Sequence, residues 1–139
     1  MTDFPAPAER SRLLAALMGN LRNLATVRIM AGVFTRNDEE DPEYASLLGR
    51  FVDQVIHMTG RPEYQDRDDQ RTLIESLGKT AGNRRLGEGK KAEERRERIV
   101  ELLLENSNWI RQARNLLKAV SASPHVPEPL RRRAGGGAS

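Results

Sequence analysis

Residues 41–60, DPEYASLLGRFVDQVIHMTG, contain the strongest helix signal in the sequence. Asp41 suits a helix N-cap, Pro42 suits the first helical position, and Gly60 suits the end. Between these boundaries apolar residues recur every three or four positions, which is the repeat of one helix face. The apolar set is Tyr44, Leu47, Leu48, Phe51, Val52, Val55 and Ile56. The stretch therefore predicts an amphipathic helix that buries this face against neighbouring elements.

The flanking sequence repeats the same spacing and predicts three further helices. The first continues to about residue 34, and Gly19-Asn20 is the place where it can bend or break. A short helix is expected over about residues 68–77. The last helix is expected to be long, over about residues 91–120, because its apolar residues alternate at spacings of four and three. No comparable pattern predicts a strand.

Two segments lack this periodicity. Residues 79–90 follow Gly78, which is expected to stop the short helix, and combine three glycines with four basic residues, so they predict a flexible loop. Residues 121–139 contain three prolines, the run Arg131–Arg133 and three glycines. That composition predicts an extended or disordered tail. The chain is therefore expected to contain one helical domain, residues 1–120, followed by the tail 121–139.

The composition favours the same fold class. A chain of 139 residues is the size of one domain, and an aromatic content of 4% argues against a β-sandwich or barrel. The absence of cysteine excludes disulfides and thiolate metal sites. We therefore expect an all-α bundle of four to five helices with a long C-terminal helix and a flexible tail. The expected core is Leu17, Leu21, Leu48, Phe51, Val55, Ile99, Leu103, Ile110 and Leu117.

The sequence predicts a cytoplasmic protein with no membrane partner. Its longest apolar run, Leu13–Met18, is far shorter than a membrane span of about 20 residues. The N-terminus carries Asp3 and lacks the basic-then-apolar pattern of a signal peptide.

Catalytic motifs lack the context that their chemistry requires. Residues 78–80, GKT, resemble the end of a phosphate-binding P-loop, but Leu73 occupies the position of the required earlier glycine. Residues 87–89, GEG, together with Ala92 fit the dinucleotide fingerprint as a pattern and open a predicted helix. No predicted strand precedes either motif, and both folds place the motif directly after a strand. Both matches are therefore interpreted as chance.

The histidines and acidic clusters predict no metal centre. His57, at the end of the apolar face, is expected to be a partly buried structural residue, and His125 lies among the prolines of the tail. The acidic clusters at 38–41 and 66–69 lack the glycine and distal glutamate of a calcium loop, so they predict helix caps and solvated charges. The sequence therefore predicts a chain that is not an enzyme, with no catalytic residues, no metal and no cofactor.

Charge is divided unevenly along the chain, although the total is only +3. Residues 37–78 hold four arginines against eleven acids, whereas residues 79–98 hold eight basic residues against four acids. An acidic middle between basic ends favours a protein that meets a polyanion on one face and another protein elsewhere. The alternative is that these segments are only solvated faces of opposite sign.

Basic side chains on helix faces are the main functional signal. Arg111, Arg114 and Lys118 fall on one side of the predicted last helix, among Asn and Ser residues that also donate to phosphate oxygens. No exposed aromatic side chain accompanies them, which favours binding to the backbone regardless of sequence. The alternative is an ordinary surface or ion pairs with the acidic middle. The candidate nucleic-acid-binding residues are Arg22, Arg28, Lys79, Arg84, Arg85, Lys90, Lys91, Arg111, Arg114 and Lys118.

A resemblance to a known family is carried by two segments. These are residues 106–117, NSNWIRQARNLL, and the arginine-bearing residues 21–34, in a small helical chain without cysteine. In these features the chain resembles the small helical subunit of multi-subunit RNA-guided CRISPR effector complexes, the type IV group in particular. The resemblance implies several copies stacked head to tail that line a guide or target strand without catalysis. It transfers no individual residue, so the candidates above depend on charge and helix geometry.

Two functions of different classes follow. The leading one is a non-catalytic nucleic-acid-associated subunit of a ribonucleoprotein complex, with an RNA or DNA backbone and other subunits as partners. Val100 and Leu104 fall outside the main apolar arc of the last helix, which predicts a second exposed apolar side and self-association. The alternative is a helical adaptor or regulator, antitoxin-like or chaperone-like, without nucleic-acid binding. Salt-dependent binding distinguishes the two, because neutralising phosphates gives a steep salt dependence.

Overall fold

The computed structural model describes residues 7–36 and 42–138, and these residues form α-helices, short 3₁₀ helices and turns without a strand. The predicted all-α bundle is confirmed. The α-helices are α1 (Pro7–Met18), α2 (Leu24–Arg36), α3 (Pro42–Thr59), α4 (Arg67–Thr80), α5 (Lys90–Glu105), α6 (Ala113–Ala122) and α7 (Glu128–Ala138). The 3₁₀ helices are Pro62–Tyr64 and Arg84–Leu86. None of the helices described is long and apolar enough to cross a membrane.

The core is built around α3, which packs against α1, α4 and α5. The ring of Phe34 lies 5.2 Å from that of Tyr44 and 5.3 Å from that of Phe51, between centroids. The Tyr44 hydroxyl donates to the Phe34 carbonyl at 3.0 Å, so the ring is buried with its polar end satisfied. The predicted core residues are all buried except Leu17, which is partly buried at the edge. The predicted N-cap Asp41 and the acidic cluster 38–41 lie outside the described residues.

The predicted first helix is broken into α1 and α2 at the site marked by Gly19-Asn20. The Asn23 side chain accepts from the Ala25 N–H at 2.8 Å, and its carbonyl accepts from Val27 at 3.1 Å. Asn23 therefore acts as the N-cap of a new helix. The break leaves the turn between α1 and α2 on the surface beside α3.

The segment predicted as one helix over 91–120 is divided into α5 and α6 by a turn at residues 106–112. The side-chain amide of Asn106 donates to the Leu102 carbonyl at 2.8 Å, and its oxygen accepts from the Trp109 indole at 2.8 Å. Asparagine competes in this way with the backbone bonds that would continue a helix. The apolar spacing continues across the turn because Ile110 and Leu117 are both buried.

Gly78 does not stop α4, contrary to the sequence prediction. The helix continues to Thr80, and α6 packs on this side of it. A Cβ atom at position 78 would lie 2.8 Å from Leu116 Cδ1. The glycine therefore serves the close approach of α4 and α6 rather than the end of a helix.

The segment predicted as a flexible loop over 79–90 is held by the buried side chain of Arg96 on α5. Its Nε, Nη1 and Nη2 atoms donate to the carbonyls of Ala81 at 3.0 Å, Gly87 at 2.6 Å and Asn83 at 2.9 Å. Burial lowers the pKa of Arg96, although a guanidinium remains charged at neutral pH. Residues 81–89 therefore form the predicted loop, as turns and one short 3₁₀ helix, and Arg96 anchors it through three of its carbonyls.

The predicted disordered tail instead forms α7, which packs on α5 and α6. Leu130 and Ala134 are buried, and a Cβ atom at Gly137 would clash with Leu104. Glycine has a low intrinsic helix propensity, but tertiary packing of one face outweighs propensity in most protein helices. Gly137 permits α7 to approach α5 closely.

The second apolar side predicted for the last helix is covered inside the chain. Val100 is fully buried, and Leu104 is partly buried against the core beside Gly137. The prediction of a second exposed apolar side is therefore wrong. Self-association itself stays a prediction, without this support.

Candidate functional site

A cleft of about 640 Å³ lies between the α1–α2 turn, the C-terminal half of α3 and the 3₁₀ helix Pro62–Tyr64. Its basic lining consists of Arg22, Arg50, His57 and Arg61, and we call this site the basic cleft. All four side chains are exposed at its surface. Glu63 is the one carboxylate among the described lining residues. Three guanidinium groups against one carboxylate give the basic cleft a net positive charge.

The spacing of residues on α3 explains why its side chains converge. Arg50, Gln54, His57 and Arg61 follow one another at intervals of four, three and four residues, which places them on one helix face. Arg61 lies just beyond the end of α3, where its N–H donates to the Met58 carbonyl at 3.1 Å and continues the turn. This polar face lies beside the apolar face that α3 buries.

Arg22 reaches the basic cleft from the turn between α1 and α2. The Tyr64 hydroxyl donates to the Arg22 carbonyl at 3.0 Å and ties the turn to the 3₁₀ helix. The break between α1 and α2 is therefore what brings a residue 28 positions away in sequence beside Arg50. The cleft exists only because α1 packs on α3.

The electrostatics leave most of the positive charge of the basic cleft uncompensated. Arg61 Nε donates to Glu63 Oε2 at 2.8 Å, and this hydrogen bond lowers the pKa of Glu63 and raises that of Arg61. The charge of Arg22 lowers the pKa of Glu63 further. By contrast, the side chains of Arg22 and Arg50 form no hydrogen bond or ion pair with any other residue that the structure describes. Two guanidinium groups therefore remain available to a ligand.

The other predicted binding residues are spread over several elements. Arg28 Nη2 donates to Thr72 Oγ1 at 3.3 Å and so contacts α4. The remainder sit at the following places: Lys79 in the last turn of α4, Arg84 and Arg85 in the second 3₁₀ helix, Lys90 and Lys91 in the first turn of α5, Arg111 in the turn before α6, and Arg114 and Lys118 on α6.

The basic surface at Lys91 and the basic surface on α6 differ in how far their charge is compensated by nearby carboxylates. Lys91 lines a shallow pocket with Arg95, but Arg95 donates twice to the Asp53 carboxylate, at 2.8 and 2.9 Å. That pairing raises the pKa of Arg95 and compensates charge on this side. Arg114 and Lys118, at spacing i, i+4, share an exposed face of α6. This face is a further basic surface, since neither residue forms a hydrogen bond or ion pair through its side chain with another described residue.

Sequence reasoning missed Arg50, Arg61 and Tyr64, and it misplaced His57. The prediction that His57 is partly buried is wrong, since its side chain is exposed and lines the basic cleft. The signal was present in the pattern of basic residues along one face of α3. It was hidden because the surrounding segment, residues 37–78, is acidic when its charges are counted together.

Two residues of the predicted acidic cluster at 66–69, Asp66 and Asp68, have structural roles in α4. Asp66 caps α4 by accepting from the Asp68 N–H at 3.1 Å, as the predicted cap requires. Asp68 in turn accepts from Arg71 at 2.7 Å. Over residues 7–36 and 42–138, no group of three His, Asp or Glu side chains is placed to hold a metal ion.

Comparison of the chain with protein-family models, curated proteins and solved structures finds no match. The geometry and charge of the basic cleft are therefore the basis for the function proposed below.

Proposed function

We propose that this chain is a non-catalytic nucleic-acid-binding subunit of a cytoplasmic ribonucleoprotein, and that the basic cleft holds the phosphate backbone. The observation that carries this proposal is the convergence of Arg22, Arg50 and Arg61 with a single carboxylate among the described lining residues. The exposed face of α6 with Arg114 and Lys118 supplies a second contact along the strand.

Arginine is the side chain best suited to this role. Its planar guanidinium donates two parallel hydrogen bonds to a phosphate and stays charged at every physiological pH. A guanidinium that has no carboxylate partner gives up no ion pair when it binds. Arg22 and Arg50 meet that condition within the described part of the chain.

Assembly into a larger particle is part of the proposal and has separate support. The resemblance of residues 106–117 and 21–34 to the small subunit of type IV-like CRISPR effector complexes implies several copies along one strand. A single cleft contacts few phosphates, and repeated copies along one strand would add to the affinity of each cleft. The chain carries no catalytic step in this proposal and needs no cofactor.

The test is a salt titration of binding by the purified chain and two double variants. Arg22→Ala with Arg50→Ala removes two charges from the basic cleft, and Arg132→Ala with Arg133→Ala removes two charges from α7. We expect the cleft variant to lower the slope of log affinity against log salt by about one unit per lost phosphate contact. The loss should be similar for all sequences, since phosphates carry no sequence information.

Two results overturn the proposal. One is the absence of salt-dependent binding to RNA or DNA by the unaltered chain, which favours the helical adaptor instead. The other is an equal change of slope in both double variants, because a general charge effect does not distinguish the basic cleft from α7.

A further inference from the structure

We infer that the basic cleft accepts one unpaired nucleotide of a single strand, with its phosphate on the arginines and its base and sugar on the apolar wall. This inference depends on the proposed function and adds the class of nucleic acid. It goes beyond contact with a backbone, because a phosphate site needs charge alone, whereas the basic cleft also has an apolar wall.

The apolar wall is formed by Met18, Leu21, Met58 and Tyr64. Leu21 and Met58 are each only 6% exposed and belong to the core, so this wall is a fixed surface. Met18 and Tyr64 are partly buried and pack against the same core. A nucleobase presents a flat apolar face to such a surface, and methionine sulfur and aromatic rings pack well against π systems.

Tyr64 is held in place by three hydrogen bonds. Its hydroxyl donates to the Arg22 carbonyl at 3.0 Å, its N–H donates to the Arg61 carbonyl at 3.2 Å, and its carbonyl accepts from Gln70 at 2.6 Å. The ring is therefore positioned before a ligand arrives, and little side-chain freedom is lost on binding. The bonds also join the apolar wall directly to two of the three arginines.

The size of the basic cleft allows a small ligand such as one nucleotide. Its volume of about 640 Å³ lies within the range of about 300–1,000 Å³ typical of sites that enclose small ligands. In a duplex the bases are paired and stacked, so none reaches a concave apolar wall unless it is extruded at an energetic cost. An unpaired nucleotide places its phosphate and its base in the cleft at once.

The experiment measures binding of the full chain to a labelled oligouridylate and to a duplex of the same length, by fluorescence anisotropy. We expect the single strand to bind at least about tenfold more tightly, which is the size of one base–aromatic contact. Uridine monophosphate should displace the strand at a concentration at which inorganic phosphate does not. Tyr64→Ala should remove about tenfold from single-strand affinity without changing the salt slope. Tyr64→Phe keeps the ring and should retain the preference.

The possible failures of the two proposals are distinguishable. Equal affinity for single strand and duplex, or equal displacement by uridine monophosphate and inorganic phosphate, overturns the inference. The proposed function survives that result if the Arg22 and Arg50 double variant still lowers the salt slope. Absence of binding to either nucleic acid overturns both. The competition between uridine monophosphate and inorganic phosphate uses the unaltered chain, so it tests the inference even if Tyr64→Ala does not fold.

Discussion

Arg96 and the arginines of the basic cleft use the same side chain in opposite ways. The Arg96 guanidinium is buried, and each of its three nitrogens donates to a backbone carbonyl between residues 81 and 87. Arg22 and Arg50 are exposed on the wall of a cleft and donate to no other described side chain or carbonyl. Arg96 therefore stabilises the fold, whereas the donors of Arg22 and Arg50 form no hydrogen bond with described residues.

The difference shows how a structural arginine is told from a binding one. A buried guanidinium must have its donors satisfied within the protein, since an unpaired buried charge is strongly destabilising. An exposed guanidinium is solvated, so its N–H groups remain available to a phosphate at little cost. Residue type and sequence position do not separate the two, because Arg95 and Arg96 are neighbours and only Arg96 is buried.

Substituting methionine at each position gives the largest expected contrast. Arg96→Met leaves three carbonyls without their donor and should lower the free energy of unfolding by about 3–5 kcal/mol. Arg50→Met should change it by less than about 0.5 kcal/mol, because the side chain is exposed and makes no described pair. Urea unfolding followed by circular dichroism measures both. A small loss of unfolding free energy in Arg96→Met, or a large loss in Arg50→Met, would contradict the distinction between a structural and a binding arginine.

The basic side chains of α6 and of the turn before it, Arg114 and Arg111, provide an intermediate case. Arg111→Ala with Arg114→Ala should weaken binding for all sequences and flatten the salt slope by about one unit per lost phosphate contact. The stability of the chain should not change, because both side chains are exposed. The Arg132 and Arg133 double variant is the control of equal charge. An unchanged slope confines binding to the basic cleft and removes α6 from the surface.

Glu63 gives the smallest expected effect, because it is exposed and its one described ion pair is with Arg61. Glu63→Gln removes the one carboxylate among the described lining residues and should tighten binding by no more than about fivefold. The hydrogen bond from Arg61 holds the pKa of Glu63 below its ordinary value. The ion pair is therefore present above the ordinary pKa of a glutamate and is lost as the pH falls through the lowered value.

The pH profile tests the same group without a substitution. As Glu63 becomes protonated at acid pH, affinity for an oligouridylate should rise, and the Glu63→Gln variant should lack this part of the rise. Uracil does not protonate in that range, so the ligand keeps its charge. Identical pH profiles for the two proteins would show that Glu63 does not oppose binding.

Much of the fold could be predicted because helix periodicity is local. The apolar set of α3 is buried or partly buried as its spacing indicates, and residues as distant as Leu21 and Leu117 join the same core. The errors lie where a distant partner overrides a local preference. Gly78 lies inside a helix where Leu116 leaves no room for a larger side chain, and Gly137 of α7 lies in the same way against Leu104 of α5.

The sequence by itself determined the fold class, the approximate helices and the supply of basic side chains, since each follows from residues close together in the chain. Only the tertiary structure decided which arginines act together. The packing of α1 on α3 places Arg22 beside Arg50, and the turn after α3 adds Arg61 and Tyr64. The same packing decided which arginine is buried, because burial depends on what distant segments cover rather than on the residue itself.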